Sequence, residues 1–283
     1  METGGVLLLL LAGSSALSFY GGSISFLPLQ RRTQDTVQVS FYHRQNGRNS
    51  CQNQNQSTFT CEEGACPIME RSDALQTDQD QSGQGRWCQT EEFTTTTVQS
   101  NRTRLTLRDS GCCWVSNAEG ETSWMSLAQL DLGFRSDSHN FNTCPTTTAV
   151  SSLRIPQNCV SRVRLLAYDP DGDAVRCRFA PDATVPSNFT LDEAACTLTS
   201  AGGVHTGVHV LQLMLEDFPT TNITLTYADG TSVTRGARVL SSPPLCQVKV
   251  QFSVDVLPAI SSCADADLLP MFLSRTPSHG DVL

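Results

Sequence analysis

The chain of 283 residues has no uninterrupted run of the about 18 apolar residues that a membrane-crossing helix needs. Pro277 to Leu283 is not a hydrophobic tail, so a lipid-anchor signal is missing as well. No long segment repeats its apolar residues every 3.6 positions, which argues against a mainly helical fold. No Cys-x-x-Cys pair occurs, and Cys61-x4-Cys66 has no matching second half, so a structural zinc site has little support. Neither G-x-S-x-G nor a P-loop is present, and no other nucleophile and base stand out. A basic surplus is also missing. Removing residues 1–18 removes one acid, Glu2, and leaves 19 basic against 27 acidic residues, a net charge of −8. Nothing there would neutralise phosphates, so a nucleic-acid partner is not expected.

Cysteine, by contrast, is abundant. Six precede residue 140 (Cys51, Cys61, Cys66, Cys88, Cys112, Cys113) and six follow it (Cys144, Cys159, Cys177, Cys196, Cys246, Cys263). Val6 to Ala12 reads as the apolar heart of a secretory signal, and Ala16 and Ser18 are small residues suited to a cut before Phe19. An apolar core of about 7–12 residues is too short to span a bilayer. Four Asn-x-Ser/Thr sequons, at Asn55, Asn101, Asn188 and Asn222, fit the same compartment. Together these features predict a secreted, disulfide-bonded glycoprotein. The even division of the cysteines predicts two separately stapled domains, residues 19–135 and 148–262. A polar, Thr-rich linker (136–147) separates them, and a tail (263–283) follows.

Both halves read as β. In the first, Ser23 to Leu29 and Val37 to Tyr42 look like the arms of one antiparallel pair. Residues 45–86 read as long loops, the favoured recognition surface. Phe93 to Gln99 and Leu105 to Arg108 are strand-like. Trp87, Trp114 and Trp124 are expected in the core, with Trp114 beside the adjacent Cys112 and Cys113. Adjacent cysteines would point to opposite strand faces and staple two different neighbours. In the second half, Val248, Val250, Phe252, Val254 and Val256 alternate strictly with other residues, the strongest strand pattern in the chain. Ala228-Asp229-Gly230 marks a hairpin. Short strands with turn signals every 8–12 residues point to a sandwich, giving an all-β fold of two disulfide-stapled sandwich-like domains. For the second domain the proposed pairing is Cys177 with Cys196, Cys159 with Cys246 and Cys144 with Cys263, one choice among 15.

The best candidate site is the turn at Asp169-Pro170-Asp171-Gly172-Asp173, expected to join Val160–Tyr168 and Ala174–Phe179 as a hairpin. Its three carboxylates stand at alternate positions and can converge on calcium, with Glu216 or Asp217 adding oxygens if that strand end lies beside the turn. The competing reading is punctuation, with the acids serving the backbone and facing water. The EF-hand pattern is absent. His205 and His209 are spaced for a helix but sit in a β segment, where that spacing does not make a zinc pair.

The succession of this turn with its preceding Leu165-Leu166-Ala167-Tyr168, then Phe189-Thr190-Leu191-Asp192 with Thr197-Leu198, then Val210 to Asp217, resembles a cadherin-like β-sandwich repeat over residues 145–257. The likeness implies a calcium-associated adhesion module. However, no Asp-x-Asn-Asp linker follows Val256, and Asp192-Glu193 has no basic residue between its carboxylates. The first half, with Cys112-Cys113-Trp114, is similar to the cysteine-rich N-terminal module of large, uncharacterised animal extracellular proteins. No activity follows from that likeness. The function expected is extracellular binding or adhesion without catalysis, toward a protein or glycan. A self-associating matrix component and a hydrolase are the alternatives.

Overall fold

A computed structural model describes residues 18–27, 30–31, 36–48, 59–61, 70–71, 75–79, 87–99, 101–148 and 151–263. The expected signal (1–18) falls outside these but for Ser18, and so do Asn55, Cys51, Cys66 and all of the tail after Cys263. The described residues form no helix, and the sheets curl into a half-barrel, sandwich-like arrangement.

The strand predicted most firmly from alternation, Cys246–Leu257, is the hub. Its first residues pair with Ser123–Asp131 (Val248 opposite Ala128), and its middle pairs with Ser18–Phe26 (Gly21 opposite Phe252). Its end runs parallel to Ser152–Pro156. Along its other edge lies Gly207–Phe218, from Gly207 opposite Val256 to Glu216 opposite Gln247. One strand can hold so many neighbours because they take successive segments of it. Gly21 and Gly22 allow the closest approach: a Cβ on Gly21 would stand 2.4 Å from the Gln251 carbonyl oxygen. The backbone there has φ 153°, which only glycine adopts readily.

Ser18–Phe26 then pairs with Thr36–Arg48, the antiparallel pair expected from sequence, and Thr36–Arg48 pairs with Trp87–Gln99 over its whole length. Glu70–Arg71 and Leu75–Gln79, expected within a loop, add to the outer side of Trp87–Gln99. The ladders therefore cross the boundary placed at 136–147, joining the two predicted domains through the C-terminal strand. The core crosses it too. Ile24, Phe41, Leu107 and Leu130 share one apolar cluster with Leu211, Leu213, Phe252 and Val254. Residues 136–147 are not a free tether: Phe141, Asn142 and Cys144 are buried, and Thr146–Thr147 pairs with Ala167–Tyr168.

The hairpin expected across Asp169–Asp173 is not a ladder. Leu166 takes a positive φ of 48° and ends the extended run. Ser161–Arg164 pairs with Thr197–Ser200, while Ala174–Phe179 pairs with Gly207–Phe218. The turn therefore connects two different sheets. The hairpin at Asp229-Gly230 forms as its turn chemistry predicts, with Thr226 opposite Ser232.

The disulfides brace this frame. Cys177 joins Cys196, but Cys144 joins Cys246 and Cys159 joins Cys263, exchanging two of the proposed partners. The reason is sheet order: Cys246 begins the hub strand, opposite Leu130, beside the segment that carries Cys144. Cys112 and Cys113 bond to each other across a cis peptide rather than stapling two neighbours. Their Cα atoms lie 3.0 Å apart. Cys61 is also disulfide-bonded.

Candidate functional site

Asp169 opens the acid turn by serving the backbone. Its Oδ1 accepts the N–H of Asp171 at 2.9 Å and that of Asp173 at 3.2 Å, and its carbonyl accepts the Gly172 N–H at 3.1 Å. Gly172 supplies the positive φ of 81° that closes the loop. One oxygen from each of Asp169, Asp171 and Asp173 falls within 4.8 Å of the others. Asp169 and Asp173 are each only 8% exposed, and Asp169 Oδ2 is buried with no hydrogen-bond partner. Asp217 lies beyond them at the end of Gly207–Phe218, fully buried, accepting from Asn142 Nδ2 at 2.7 Å and from the Cys246 N–H. Burial, and next the charge of Asp173, push the Asp169 carboxyl up to about 7. Burial raises Asp217 well above the usual carboxylate range, and Asp169 adds to it.

Sequence reasoning missed the residue that organises this cluster. Arg135, 1% exposed, enters from the segment expected to end the first domain. Its guanidinium grips both oxygens of Asp173, donates to Asn142 Oδ1, and makes a second fork to Asp137 at 2.8 and 3.0 Å. Asp171 stands 3.6 Å away. Burial opposes the guanidinium's charge, but Asp137 and Asp173 hold it protonated beyond its ordinary range. The same hydrogen bonds lower Asp137 to about 2.

This arrangement bears directly on calcium. The ion takes six to eight oxygens. Here both Asp173 oxygens face Arg135, and both Asp171 oxygens accept from Thr143, at 2.6 and 3.2 Å. Asp169 Oδ2 is the one uncommitted oxygen of the turn. An arginine already stands where the cation would, so the donor set fits calcium poorly while Arg135 is in place. Glu216 is not part of the cluster: it binds Arg176 at 2.6 Å and Arg178 at 2.7 Å. His205 and His209 do not form a metal pair either. His209 places Nδ1 2.7 Å from Glu119 Oε1 and Nε2 2.8 Å from the His205 carbonyl.

Asn101, Asn188 and Asn222 are all exposed, as glycan acceptors must be. Asn222 keeps its side chain in place by accepting the Ala237 N–H through Oδ1 at 2.8 Å. Trp114 and Trp124 are core residues, packed on Phe19 with ring centroids 4.7 and 4.6 Å away.

A second feature is a cleft of about 500 Å³ where Arg104–Cys112 ends and Ser123–Asp131 begins. Its lining includes Cys112 of the vicinal disulfide, Trp124, Asp182, Gln212 and Lys249. Lys249 is the sole lysine of the chain, the other basic residues being arginines. Alternation along Cys246–Leu257 would put it on a water-facing side, yet it is 2% exposed, and its Nζ donates to Asp182 Oδ2 at 2.8 Å. Partial burial works against the charge of Asp182, but the Lys249 ammonium holds its carboxyl below the ordinary value. The signal available in the sequence was the sole lysine of the chain, set in its most strictly alternating strand.

No protein-family model, curated protein or solved structure matches the chain.

Proposed function

We propose that the chain is an extracellular binding or adhesion module that acts without catalysis. The observation that carries this reading is the disulfide frame. Cys144–Cys246 and Cys159–Cys263 each tie residues more than a hundred positions apart, and among the described residues no cysteine is a free thiol. Such bracing belongs to an oxidising compartment, where it holds a surface rigid enough to recognise a partner. The apolar segment before Phe19, the sequons and the cadherin-like succession of motifs support the same setting. The acid cluster serves packing: Asp169 and Asp217, the two carboxyls pushed upward, are buried and offer no substrate a route to both.

The test is to express the full chain in animal cells, recover it from the medium, and measure binding of the labelled protein to cell surfaces alongside its size in solution. A secreted monomer with saturable binding is the expected result. Retention inside the cell, or binding that never saturates, overturns the reading. Concentration-dependent assembly without cell binding would favour a self-associating matrix component instead.

A further inference from the structure

The cleft beside the vicinal disulfide is the one recess described above that combines size, buried charge and apolar surface. At about 500 Å³ it falls within the range of small-molecule sites. Its charges are largely spent on one another. Lys249 is paired with Asp182, and Glu121 Oε1 accepts the Thr184 hydroxyl at 2.9 Å. An anionic ligand would meet one ammonium against two carboxylates, so phosphates and carboxylates are disfavoured. What remains is hydrogen-bonding capacity of both kinds. Lys249 has three N–H donors, and its hydrogen bond to Asp182 uses one of them. Asp182 has a side chain 48% exposed and offers acceptors at the rim. Gln212 and Ser123 each donate and accept. The indole edge of Trp124, whose face is stacked on Phe19, adds apolar surface to the lining.

A ligand matched to this has hydroxyl groups on one side, C–H groups on the other, and no net charge. We propose that the cleft binds an uncharged saccharide unit, its hydroxyls held by Lys249, Asp182 and Gln212 and its C–H groups set against the indole edge of Trp124. The lone lysine suits that task. An ammonium is a compact donor that can turn toward hydroxyls in several directions, whereas a guanidinium presents a planar fork suited to carboxylates and phosphates. The assignment rests on the binding reading above and names the ligand class for one part of the surface.

The experiment uses the full secreted chain on a printed array of neutral and sialylated oligosaccharides, followed by titration calorimetry with the strongest neutral oligosaccharide. Ser123 is exposed at the mouth, so Ser123→Trp should fill the cleft without disturbing the core. The expected result is retention of neutral glycans, a loss of at least tenfold in affinity in Ser123→Trp and in Asp182→Asn, and a melting temperature unchanged in Ser123→Trp. An array with no bound glycan, a preference confined to sialylated glycans, or equal affinity in wild type and Ser123→Trp overturns the assignment. Cell binding measured on the same preparations separates the two ideas. If it persists while glycan binding is absent, only the cleft assignment falls; if both are absent, the binding reading falls with it.

Discussion

Replacing Arg135 by methionine keeps most of the side-chain volume and removes the charge that the acid cluster is built around. The guanidinium makes five hydrogen bonds, two to Asp173, two to Asp137 and one to Asn142. Without it, Asp173 is left buried with no cation beside Asp169 and Asp217. Removing one partner from a buried ion pair costs about 3–5 kcal/mol, because the surviving charge stays desolvated. Asp137 adds little to this, since its side chain is 34% exposed and can turn to water. For a chain of this size about 3–5 kcal/mol corresponds to a fall in Tm of roughly 10 °C.

The pH dependence gives a sharper test. Carboxylates orphaned by Arg135→Met have folded-state pKa values above their unfolded ones. Their contribution to stability is then fully present below the unfolded value of about 4 and is lost as pH rises through the folded value. The variant should therefore lose most stability at pH 7.5 and recover part of it at pH 5. Calcium supplies a further arm. Wild type should melt within about 2 °C with calcium or with chelator, whereas Arg135→Met, with the cation position vacated, should gain several degrees from millimolar calcium by mass action. Differential scanning calorimetry on the glycosylated protein reads all three. A fall in Tm below about 3 °C, or the same fall at pH 7.5 and pH 5, would refute the reasoning.

Asp169→Asn should flatten the dependence of wild-type stability on pH. Its carboxyl is raised to about 7, so ionisation between about pH 4 and pH 7 costs the folded state up to about 4 kcal/mol, and the amide has no such cost; chemical denaturation at pH 5 and pH 7.5 checks the slope. Paired Cys→Ser replacement at 144 and 246 should cost more than at 177 and 196, about 4–5 against about 3 kcal/mol, because the sequence separations are 102 and 19; equal losses in matched melts would reject the chain-entropy account here. Gly21→Ala should cost on the order of 3 kcal/mol or abolish secretion, since its Cβ meets hub-strand backbone at 2.4 Å. Gly120→Ala, with nothing within 4 Å, should cost about 1 kcal/mol for its positive φ of 72°, and secretion yields with thermal melts compare the two.

Local chemistry carried the sequence reading where a single segment decides the outcome. Strict alternation from Val248 to Val256 placed the hub strand, and Asp229-Gly230 placed a hairpin, because residue period and turn geometry act within a few positions. What failed was pairing. The Asp169–Asp173 turn carries every mark of a hairpin, yet its flanks belong to different sheets, since Leu166 breaks the strand and the segments on either side pair elsewhere. The ladders likewise cross the proposed domain boundary. Cysteine counts split evenly around residue 140, but nothing in that split says that Cys246–Leu257 will take Ser18–Phe26 and Ser123–Asp131 as neighbours.

The acid turn shows how that failure reaches the candidate site. Three alternating carboxylates read alone ask for a cation, and the sequence around them offers none within reach. The cation comes from Arg135, 38 residues away from Asp173, carried in by a segment whose polar and Thr-rich composition looks like solvent-facing linker. The same long-range placement buries Lys249, which a two-residue period would turn toward water. In both places the polar residue is kept inside by a partner from another strand or loop, Asp173 for one and Asp182 for the other. Arg135, Asp173 and Lys249 are buried, so each would be left desolvated without its partner, whereas Asp182 can turn to water. The Arg135–Asp173 pair therefore helps fix how the two halves of the chain meet, and Lys249–Asp182 fixes a contact within the second half.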